Sequence, residues 1–320
     1  MIVITGAAGF IGSCLVSQFN NLGRSDLILV DHINKKNSPN LAGKKYVEYI
    51  DRELFISWIQ THPTQVDFIF HMGARTDTTE FNLDIFQHLN INYTKAIWNA
   101  CVQFQIPLIY ASSAATYGDG SHGYHDDHEL IPKLKALNPY GESKQAIDLW
   151  ILQQKDQPPI WQGFKFFNVF GPNEYHKERM ASVVFHGYHQ VIKNNCIKLF
   201  ESNQIDINDG EQMRDFIYIK DVVWGLLFAW KNKIENGIYN LGSGKAISFL
   251  TLATAVFESL DLEPNIEFIP MPEDLKNTYQ NYTKAEMSKL GGQAWPGIEK
   301  NFVYSVEEYV LEYLVPKKVF

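Results

Sequence analysis

Cysteine is scarce in this chain of 320 residues, which contains only Cys14, Cys101 and Cys196. No two of these cysteines form a CxxC pair, so the pattern predicts neither a zinc site nor a disulfide framework. Disulfide frameworks are typical of small secreted proteins, whereas reduced cysteines are typical of the cytosol. We therefore expect a cytoplasmic protein without a metal site.

Long apolar runs and excess positive charge are also missing. No stretch approaches the roughly 20 apolar residues of a membrane-spanning helix. The first residues, MIVITGAAGFIG, lack the basic start and the cleavage site of a signal peptide. Lys and Arg number 28 against 36 Asp and Glu, which gives a net charge of −8 at pH 7. This balance argues against nonspecific binding to nucleic acid or to an anionic membrane, although it permits local basic pockets.

Short apolar runs alternate with helical patterns in the first half of the chain. They predict strands at 2–5, 27–30, 46–50, 68–71 and 108–112, with long helices at about 11–21 and 86–104. Helices between strands form right-handed crossovers over a parallel sheet. We therefore predict an α/β protein with a Rossmann-like, doubly wound parallel sheet.

The second half of the chain is less regular. It predicts strands near 164–169 and 216–219, a loop-rich stretch from 171 to 210 and an exposed polar loop at 202–212. The expected division is a nucleotide-binding domain at 1–168, to which 212–242 return, and a smaller α/β substrate domain at 169–211 and 243–320.

The first predicted strand runs directly into Gly6-Ala-Ala-Gly9-Phe-Ile-Gly12. In such a loop the first glycine permits a tight turn, the second allows a pyrophosphate to approach, and the third permits close helix–strand packing. The second strand ends at Asp31, where an acidic residue binds a ribose hydroxyl. The pattern predicts a dinucleotide site, and its alternative is a glycine-rich turn without a ligand.

The choice between the two nicotinamide cofactors stays open at this point. Asp31 favours NAD because a carboxylate repels a 2′-phosphate. Lys35, Lys36 and Arg52 lie nearby in sequence and supply compensating charge for NADP, unless they are solvated surface residues. We expect NADP, with NAD as the alternative.

Tyr140 and Lys144 lie four residues apart, which places them on one face of one helix. A lysine cation stabilises phenolate, so we expect the pKa of Tyr140 to fall from about 10 toward the working pH. Tyr140 is then a candidate base for a hydroxyl proton while hydride leaves the same carbon. Ser113 follows the strand predicted at 108–112, where parallel sheets hold ligands, and its alternative role is local capping.

The GxxGxxG loop, the serine-rich strand end, the YxxxK pair and RDFIYIKD at 214–221 together resemble the extended short-chain dehydrogenase/reductase family. The resemblance covers essentially the whole chain, and the match to the heptose-epimerase branch is close. The segments that carry it are ASSAATYG at 111–118, FFNVFGP at 166–172, HK at 176–177 with MASV at 180–183, KLFE at 198–201 and YQ at 279–280.

The family modifies nucleotide sugars. The resemblance implies that the substrate is an ADP-manno-heptose, epimerised at C6 through transient oxidation to a ketone, in the synthesis of the lipopolysaccharide inner core of a Gram-negative bacterium. Returning the hydride to the opposite face restores the cofactor without net redox change. The resemblance also implies a homo-oligomer, which is a pentamer in the family.

The resemblance further implies roles for individual residues. Tyr140 would be one acid/base, with Lys144 as its partner and Ser113 beside it, and Lys177 would be the second acid/base. The residues expected to bind the cofactor, besides Tyr140 and Lys144, are Gly6, Gly9, Phe10, Ile11, Gly12, Asp31, His32, Lys36, Arg52, Met72, Gly73, Ala74 and Asn90. The residues expected to bind the substrate, besides Ser113 and Lys177, are Asn168, Val169, His186, Phe200, Glu201, Arg214 and Tyr279.

Three alternative functions differ from this interpretation. A 4,6-dehydratase of this family carries an Asp-Glu pair where this chain has Ala114 and Ala115, which argues against dehydration. A UDP-hexose 4-epimerase needs the serine and the YxxxK pair but leaves His176 and Lys177 without a role. A regulatory protein would bind the cofactor without turnover. Departures from the family pattern occur at Arg75, at 178–179 and in the longer polar run 203–211.

Overall fold

A computed structural model of the protein describes residues 1–273, 279–298 and 300–320. Its centre is a parallel sheet whose strands come mostly from the first half of the chain. They are β1 (Ile2–Thr5), β2 (Leu27–Asp31), β3 (Glu48–Asp51), β4 (Phe68–His71), β5 (Leu108–Ser113) and β6 (Trp161–Phe166). A late strand, which we number β11 (Gly237–Leu241), pairs with β6 and completes the sheet in the order β11-β6-β5-β4-β1-β2-β3.

Helices cover both faces of this sheet because its strands are apolar on both sides. Val3 packs with one group of buried side chains, whereas its neighbours Ile2 and Ile4 pack with another. Such continuous apolar runs are typical of parallel strands that are buried on both faces. The main helices are α1 (Phe10–Asn21), α2 (Arg52–Thr61), α3 (Leu83–Phe86), α4 (Tyr93–Phe104), α5 (Pro139–Leu152), α6 (Val183–Asn194), α7 (Ile219–Asn232) and α8 (Phe249–Glu258).

The strand order reverses its direction between β1 and β4, which are neighbours in the sheet. At such a switch point the loops on the two sides diverge and leave a crevice at the carboxyl ends of the strands. The predicted Rossmann-like, doubly wound sheet is therefore confirmed. The glycine loop after β1 and the segment after β4 both lie at this crevice.

The second half of the chain adds small paired strands and further helices. The strands are β7 (Asn168–Phe170), β8 (Ile197–Phe200), β9 (Met213–Arg214), β10 (Phe216–Tyr218), β12 (Ile247–Ser248) and β13 (Ile266–Ile269). They pair as β10-β7, β12-β9 and β13-β8. The last helices are α9 (Ser288–Gly292) and α10 (Phe302–Tyr309). None of the helices in the described ranges is long and apolar enough to cross a membrane.

One prediction about local structure was wrong, and another is confirmed with a local change of helix type. The stretch 171–210, predicted as loop-rich, contains α6 and β8. Ser182 caps α6 by accepting a hydrogen bond from the Phe185 N–H (3.2 Å), and the helix buries Val184, Tyr188 and Val191 at helical spacing. The helix predicted at 86–104 is interrupted by a π-helical turn at Gln87–Asn92.

Candidate active site

The glycine loop after β1 is packed as tightly as its sequence predicts. Gly6 has φ +64°, and a Cβ there would lie 2.6 Å from the backbone of Gly73. A Cβ on Gly12 would lie 2.3 Å from the Gly6 carbonyl oxygen. Gly9 begins α1 without a side chain to cap it, so the N–H groups of the first turn, at Phe10 and Ile11, point to an anionic ligand. This cradle fits the pyrophosphate of a dinucleotide.

Asp31 lies buried at the end of β2 and faces this loop. Its carboxylate accepts hydrogen bonds from the N–H of Ala8 (3.1 Å) and the N–H of His32 (2.8 Å). The carboxylate is therefore held beside the glycine loop, where a ribose would lie, with lone pairs remaining for its hydroxyls.

The three basic residues predicted near Asp31 occupy different positions. Lys35 Nζ is 3.7 Å from Asp31 Oδ1. Lys36 is exposed on the adjoining turn, and Arg52 at the start of α2 donates to Glu53 (2.9 Å). Of these three residues, Lys35 is therefore the one that contacts the Asp31 carboxylate, although it is not among the residues expected to bind the cofactor.

The segment after β4 forms the opposite wall of the crevice. Met72 donates its N–H to Thr5 O (3.2 Å), and Gly73 and Ala74 follow it beside the glycine loop. Asn90, delivered by the π-helical turn, accepts from the Arg75 N–H (2.8 Å) and donates to Arg75 O (3.0 Å). Its buried amide therefore fixes the path of the segment that the cofactor would contact.

Asn90 also joins this wall to the helix that carries the tyrosine. Its amide donates to Ser143 Oγ (2.9 Å), and that hydroxyl donates to Tyr140 O (2.7 Å). At the start of α5, Asn138 accepts from the Gly141 N–H (2.8 Å). A Cβ on Gly141 would lie 2.8 Å from Ala115 O, so the glycine lets α5 approach the end of β5.

Ser113, Tyr140 and Lys144 come together at the end of β5. Ser113 is hydrogen-bonded to the Tyr140 side chain and also accepts from the Ala115 N–H (3.1 Å), so the same hydroxyl contacts the tyrosine and caps the turn that follows β5. Lys144 is buried and donates to Ala111 O (2.9 Å). Burial lowers the pKa of Lys144 to about 8, against the opposing effect of Asp148.

The expected fall in the pKa of Tyr140 does not occur in this arrangement. Burial raises the pKa of Tyr140 above its ordinary value of 10, and the hydrogen bond with Ser113 opposes this effect. The Lys144 amine is hydrogen-bonded to a backbone carbonyl, and burial favours its uncharged form. Its positive charge therefore does not outweigh the effect of burial on the pKa of Tyr140. The spacing of the pair predicts that both side chains share a helix face, but it does not indicate how far burial removes them from water.

Lys177 reaches the glycine loop from the second half of the chain. Its Nζ lies 5.3 Å from the centroid of the Phe10 ring, a cation–π distance. Burial lowers the pKa of Lys177, and the nearby Glu174 opposes this shift. Lys177 therefore places a partly buried amine beside Phe10 in the first turn of α1.

Buried polar residues that were not anticipated hold the Lys177 loop in place. Glu174 accepts from the Gly171 N–H (3.2 Å) and from Ser182 Oγ (2.7 Å), so it bridges the two ends of the loop. Asn40 donates to Ala8 O (3.2 Å) and to Asn173 O (3.0 Å). Neither residue follows a recognisable sequence pattern, so no signal in the sequence could have found them.

A second cluster is formed by residues from the second half of the chain. The Arg214 guanidinium is 5.0 Å from the centroid of the Tyr279 ring, and Phe200 meets the same ring edge-to-face at 6.1 Å. Arg214 is buried, which lowers its pKa, and Tyr279 opposes the shift. An arginine between aromatic faces can bind a phosphate and stack on a base.

The remaining predicted substrate residues are more dispersed. Asn168 is exposed at the start of β7, with Val169 behind it, and Glu201 is exposed after β8. His186, in the first turn of α6, contacts the Phe185 ring (5.7 Å). Within the described residues, the structure brings Ser113, Tyr140 and Lys144 together at the end of β5 and Phe200, Arg214 and Tyr279 together in a separate cluster, whereas the His186 and Glu201 side chains are hydrogen-bonded to neither group.

Comparison with known proteins agrees with this arrangement. The profile of the NAD dependent epimerase/dehydratase family matches residues 2–242. The chain is 43% identical over 325 residues to the ADP-L-glycero-D-manno-heptose-6-epimerase of Fusobacterium nucleatum, which covers 98% of each chain. It is 42% identical over 317 residues to the enzyme of the same name from Nitratidesulfovibrio vulgaris, again with 98% of each chain covered.

Solved structures agree as well. The crystal structure of Helicobacter pylori ADP-L-glycero-D-manno-heptose-6-epimerase superposes with a TM-score of 0.78 at 27% identity, covering 98% of this chain and 95% of that one. The family resemblance read from the motifs is thereby confirmed. Because the family profile spans most of the chain and these relatives match it from end to end, the chain belongs to the NAD dependent epimerase/dehydratase family.

Proposed function

We propose that this protein interconverts ADP-D-glycero-β-D-manno-heptose and ADP-L-glycero-β-D-manno-heptose by inverting C6. The observation that carries the proposal is the placement of two acid/base groups at one cofactor cradle. Tyr140 lies at the end of β5 with Ser113, and Lys177 lies over Phe10 from the other half of the chain. The names of the relatives above support the choice of the heptose as substrate.

The chemistry follows from the weakness of a carbinol C–H as an acid, which makes inversion by simple deprotonation unworkable. A bound nicotinamide would supply reversible oxidation of that carbon to a ketone, which removes the stereocentre. Tyr140, as the phenolate, would take the hydroxyl proton as oxidation proceeds, with Ser113 hydrogen-bonded to the phenol oxygen. Lys177, an amine whose pKa burial lowers, would serve the second orientation of the substrate as acid and base.

NADP is the cofactor we propose, with Asp31 holding a ribose hydroxyl. Lys35 beside Asp31 offsets the negative charge that would otherwise repel a 2′-phosphate, and Lys36 is exposed on the adjoining turn, whereas the charge of Arg52 is paired with Glu53. The nucleotide-binding part comprises 1–168 with 212–242, and 169–211 with 243–320 form the substrate-binding part. Arg214 and Tyr279 would hold the diphosphate and the base.

A cytoplasmic homo-oligomer, a pentamer, that makes a precursor of the lipopolysaccharide inner core completes the proposal. The experiment is incubation of the purified protein with ADP-D-glycero-D-manno-heptose, without added cofactor. The C6 epimers are separated chromatographically while nicotinamide absorbance is followed. An epimer mixture that forms without net absorbance change supports an enzyme with a tightly held cofactor.

Two variants test the acid/base assignment. We expect Tyr140→Phe and Lys177→Met each to abolish epimerisation while the cofactor stays bound, and near-normal turnover in either would remove that residue from the mechanism. Extracting the cofactor and separating NADP from NAD tests the charge argument at Asp31. No epimerisation by the wild-type protein, even with NADP or NAD supplied, would refute the substrate assignment and favour a UDP-hexose 4-epimerase.

A further inference from the structure

A buried ion pair lies beneath the catalytic face of α5 and is not used by the chemistry proposed above. Lys165 Nζ on β6 lies 2.5 Å from Asp148 Oδ2 on α5, and both side chains are fully inaccessible to solvent. Burying two charges removes their hydration, so such a pair adds little stability over apolar side chains of the same volume. Its position under the tyrosine and lysine therefore requires an explanation other than stability.

The Asp148 carboxylate is fixed by hydrogen-bond donors from the sheet. Tyr110 donates its hydroxyl to Oδ1 (3.0 Å) and Ser112 donates to Oδ2 (2.7 Å). Lys165 donates to Oδ2 and also to Thr116 Oγ1 (2.7 Å). These three donors, one of which is the Lys165 cation, hold the carboxylate in one position.

Asp148 shares its helix face with the catalytic pair. It lies four residues after Lys144 and eight after Tyr140, so the three side chains are stacked along α5. Its charge raises the pKa of Lys144 against the larger effect of burial, and it adds to the effect of burial on the pKa of Tyr140. The same carboxylate thus favours the protonated form of both the lysine and the tyrosine.

Other ionisable groups also face this region. They are Tyr110 on β5, Lys165 on β6, His71 on β4 and Tyr117 after β5, with Asp126, His128 and Lys289 around Lys165. Burial raises the pKa of Tyr110 and of Tyr117 well above the usual value and lowers that of His71 to about 3, so these three keep one charge state between pH 5 and 10.

We propose that Asp148, balanced by Lys165, is a positioning residue that sets the charge states of Tyr140 and Lys144 through its fixed negative charge. The inference rests on the proposed function, in which these two residues manage the proton of the reacting hydroxyl. It differs from a packing role because it depends on charge rather than on shape.

The test is the double variant Asp148→Asn/Lys165→Gln, which keeps volume and hydrogen-bonding groups but removes both charges. Without the negative charge, the pKa values of Tyr140 and Lys144 both fall. Both limbs of the bell-shaped pH profile of kcat should therefore move to lower pH, by about one pH unit. Tyr110→Phe is the matched control, because it removes a hydrogen bond to the same carboxylate without changing charge, and its limbs should stay in place.

The single variant Lys165→Gln gives the opposite sign. It leaves Asp148 without its partner, so both limbs should move to higher pH. For the double variant and for Lys165→Gln alike, limbs of the pH profile that coincide with those of the wild-type protein overturn the proposal, even where kcat falls.

A second readout needs no substrate. The phenolate absorbance of Tyr140 is obtained by subtracting the titration of Tyr140→Phe from that of the parent protein, with and without the Asp148→Asn/Lys165→Gln change. A lower midpoint with the charges removed supports the proposal, and an unchanged midpoint refutes it. Wild-type protein that does not epimerise the heptose would refute the proposed function alone, since this titration is read in its absence.

Discussion

Replacing Gly12 with alanine sets two effects on α1 against each other. Alanine has the higher helix propensity, which favours the variant by about 1 kcal/mol. A Cβ at this position, however, would lie 2.3 Å from the Gly6 carbonyl oxygen and 2.8 Å from its carbonyl carbon. These are backbone atoms of a tight turn, which cannot rotate away as the end of a side chain could.

The steric effect should win. Overpacking of a close-packed site costs about 1–3 kcal/mol, and we take the upper value because the glycine loop must separate from α1. Subtracting the propensity gain leaves a net loss of about 2 kcal/mol in the free energy of unfolding. The same separation displaces the N–H groups at the start of α1, so the affinity for NADP should fall by at least about tenfold.

Urea unfolding and quenching of protein fluorescence by NADP measure the two effects. Gly291→Ala in α9 is the matched control, because a Cβ there would have no atom within 4 Å. Its stability should be unchanged or up to about 1 kcal/mol higher. A Gly12→Ala protein that unfolds at the same urea concentration as the wild type and binds NADP equally well would refute the reasoning.

Two further predictions concern His71 and Arg214. Burial lowers the pKa of His71 to about 3, whereas the unfolded chain binds this proton near pH 6.5, so stability should fall on acidification between these values. Thermal unfolding of wild type and His71→Gln at pH 7 and pH 5 should show a loss that is about 2 kcal/mol smaller in the variant, and parallel losses would contradict the assignment. Arg214→Met removes the cation beside Tyr279 but keeps the aliphatic stem, so KM for the nucleotide sugar should rise about tenfold with kcat changed less than about threefold. A comparable fall in kcat in steady-state assays would argue against a role confined to binding.

The fold was predictable because its signals are local. Most of the central strands are short apolar runs, and the strand predicted at 68–71 has the observed bounds Phe68–His71. The glycine loop was equally readable from its spacing, and the backbone contact that requires Gly12 is with Gly6, within a few residues of sequence. The helix α6 was missed because its apolar positions are interleaved with histidines, which hid the helical spacing.

The candidate site was predictable only where it depends on spacing along one element. Tyr140 and Lys144 share a helix face, and Asp148 continues the same spacing, so it could have been found by extending the pattern by one turn. Desolvation could not be read in this way, and the direction of the Tyr140 pKa was wrong for that reason. Asn40 acts through contacts with Ala8 and Asn173, which lie far from it in the chain, and Glu174 closes a loop between Gly171 and Ser182 without a recognisable motif, so a single sequence shows neither role.

The return of the chain to its central sheet has a consequence for how the molecule can be divided. The strand β11 seals the edge of β6, and α7 packs against α1, although both come from beyond residue 218. A fragment that ended at residue 168 would therefore expose a row of unpaired backbone groups along β6 and uncover the apolar side of α1, including Phe19, which meets Trp230 of α7 edge-to-face at 5.3 Å. Such a fragment should aggregate. A circular permutant, in which the original termini are joined and the chain is opened at an exposed turn, would instead preserve every strand pair. The two halves are interlaced, so they must be engineered as one piece.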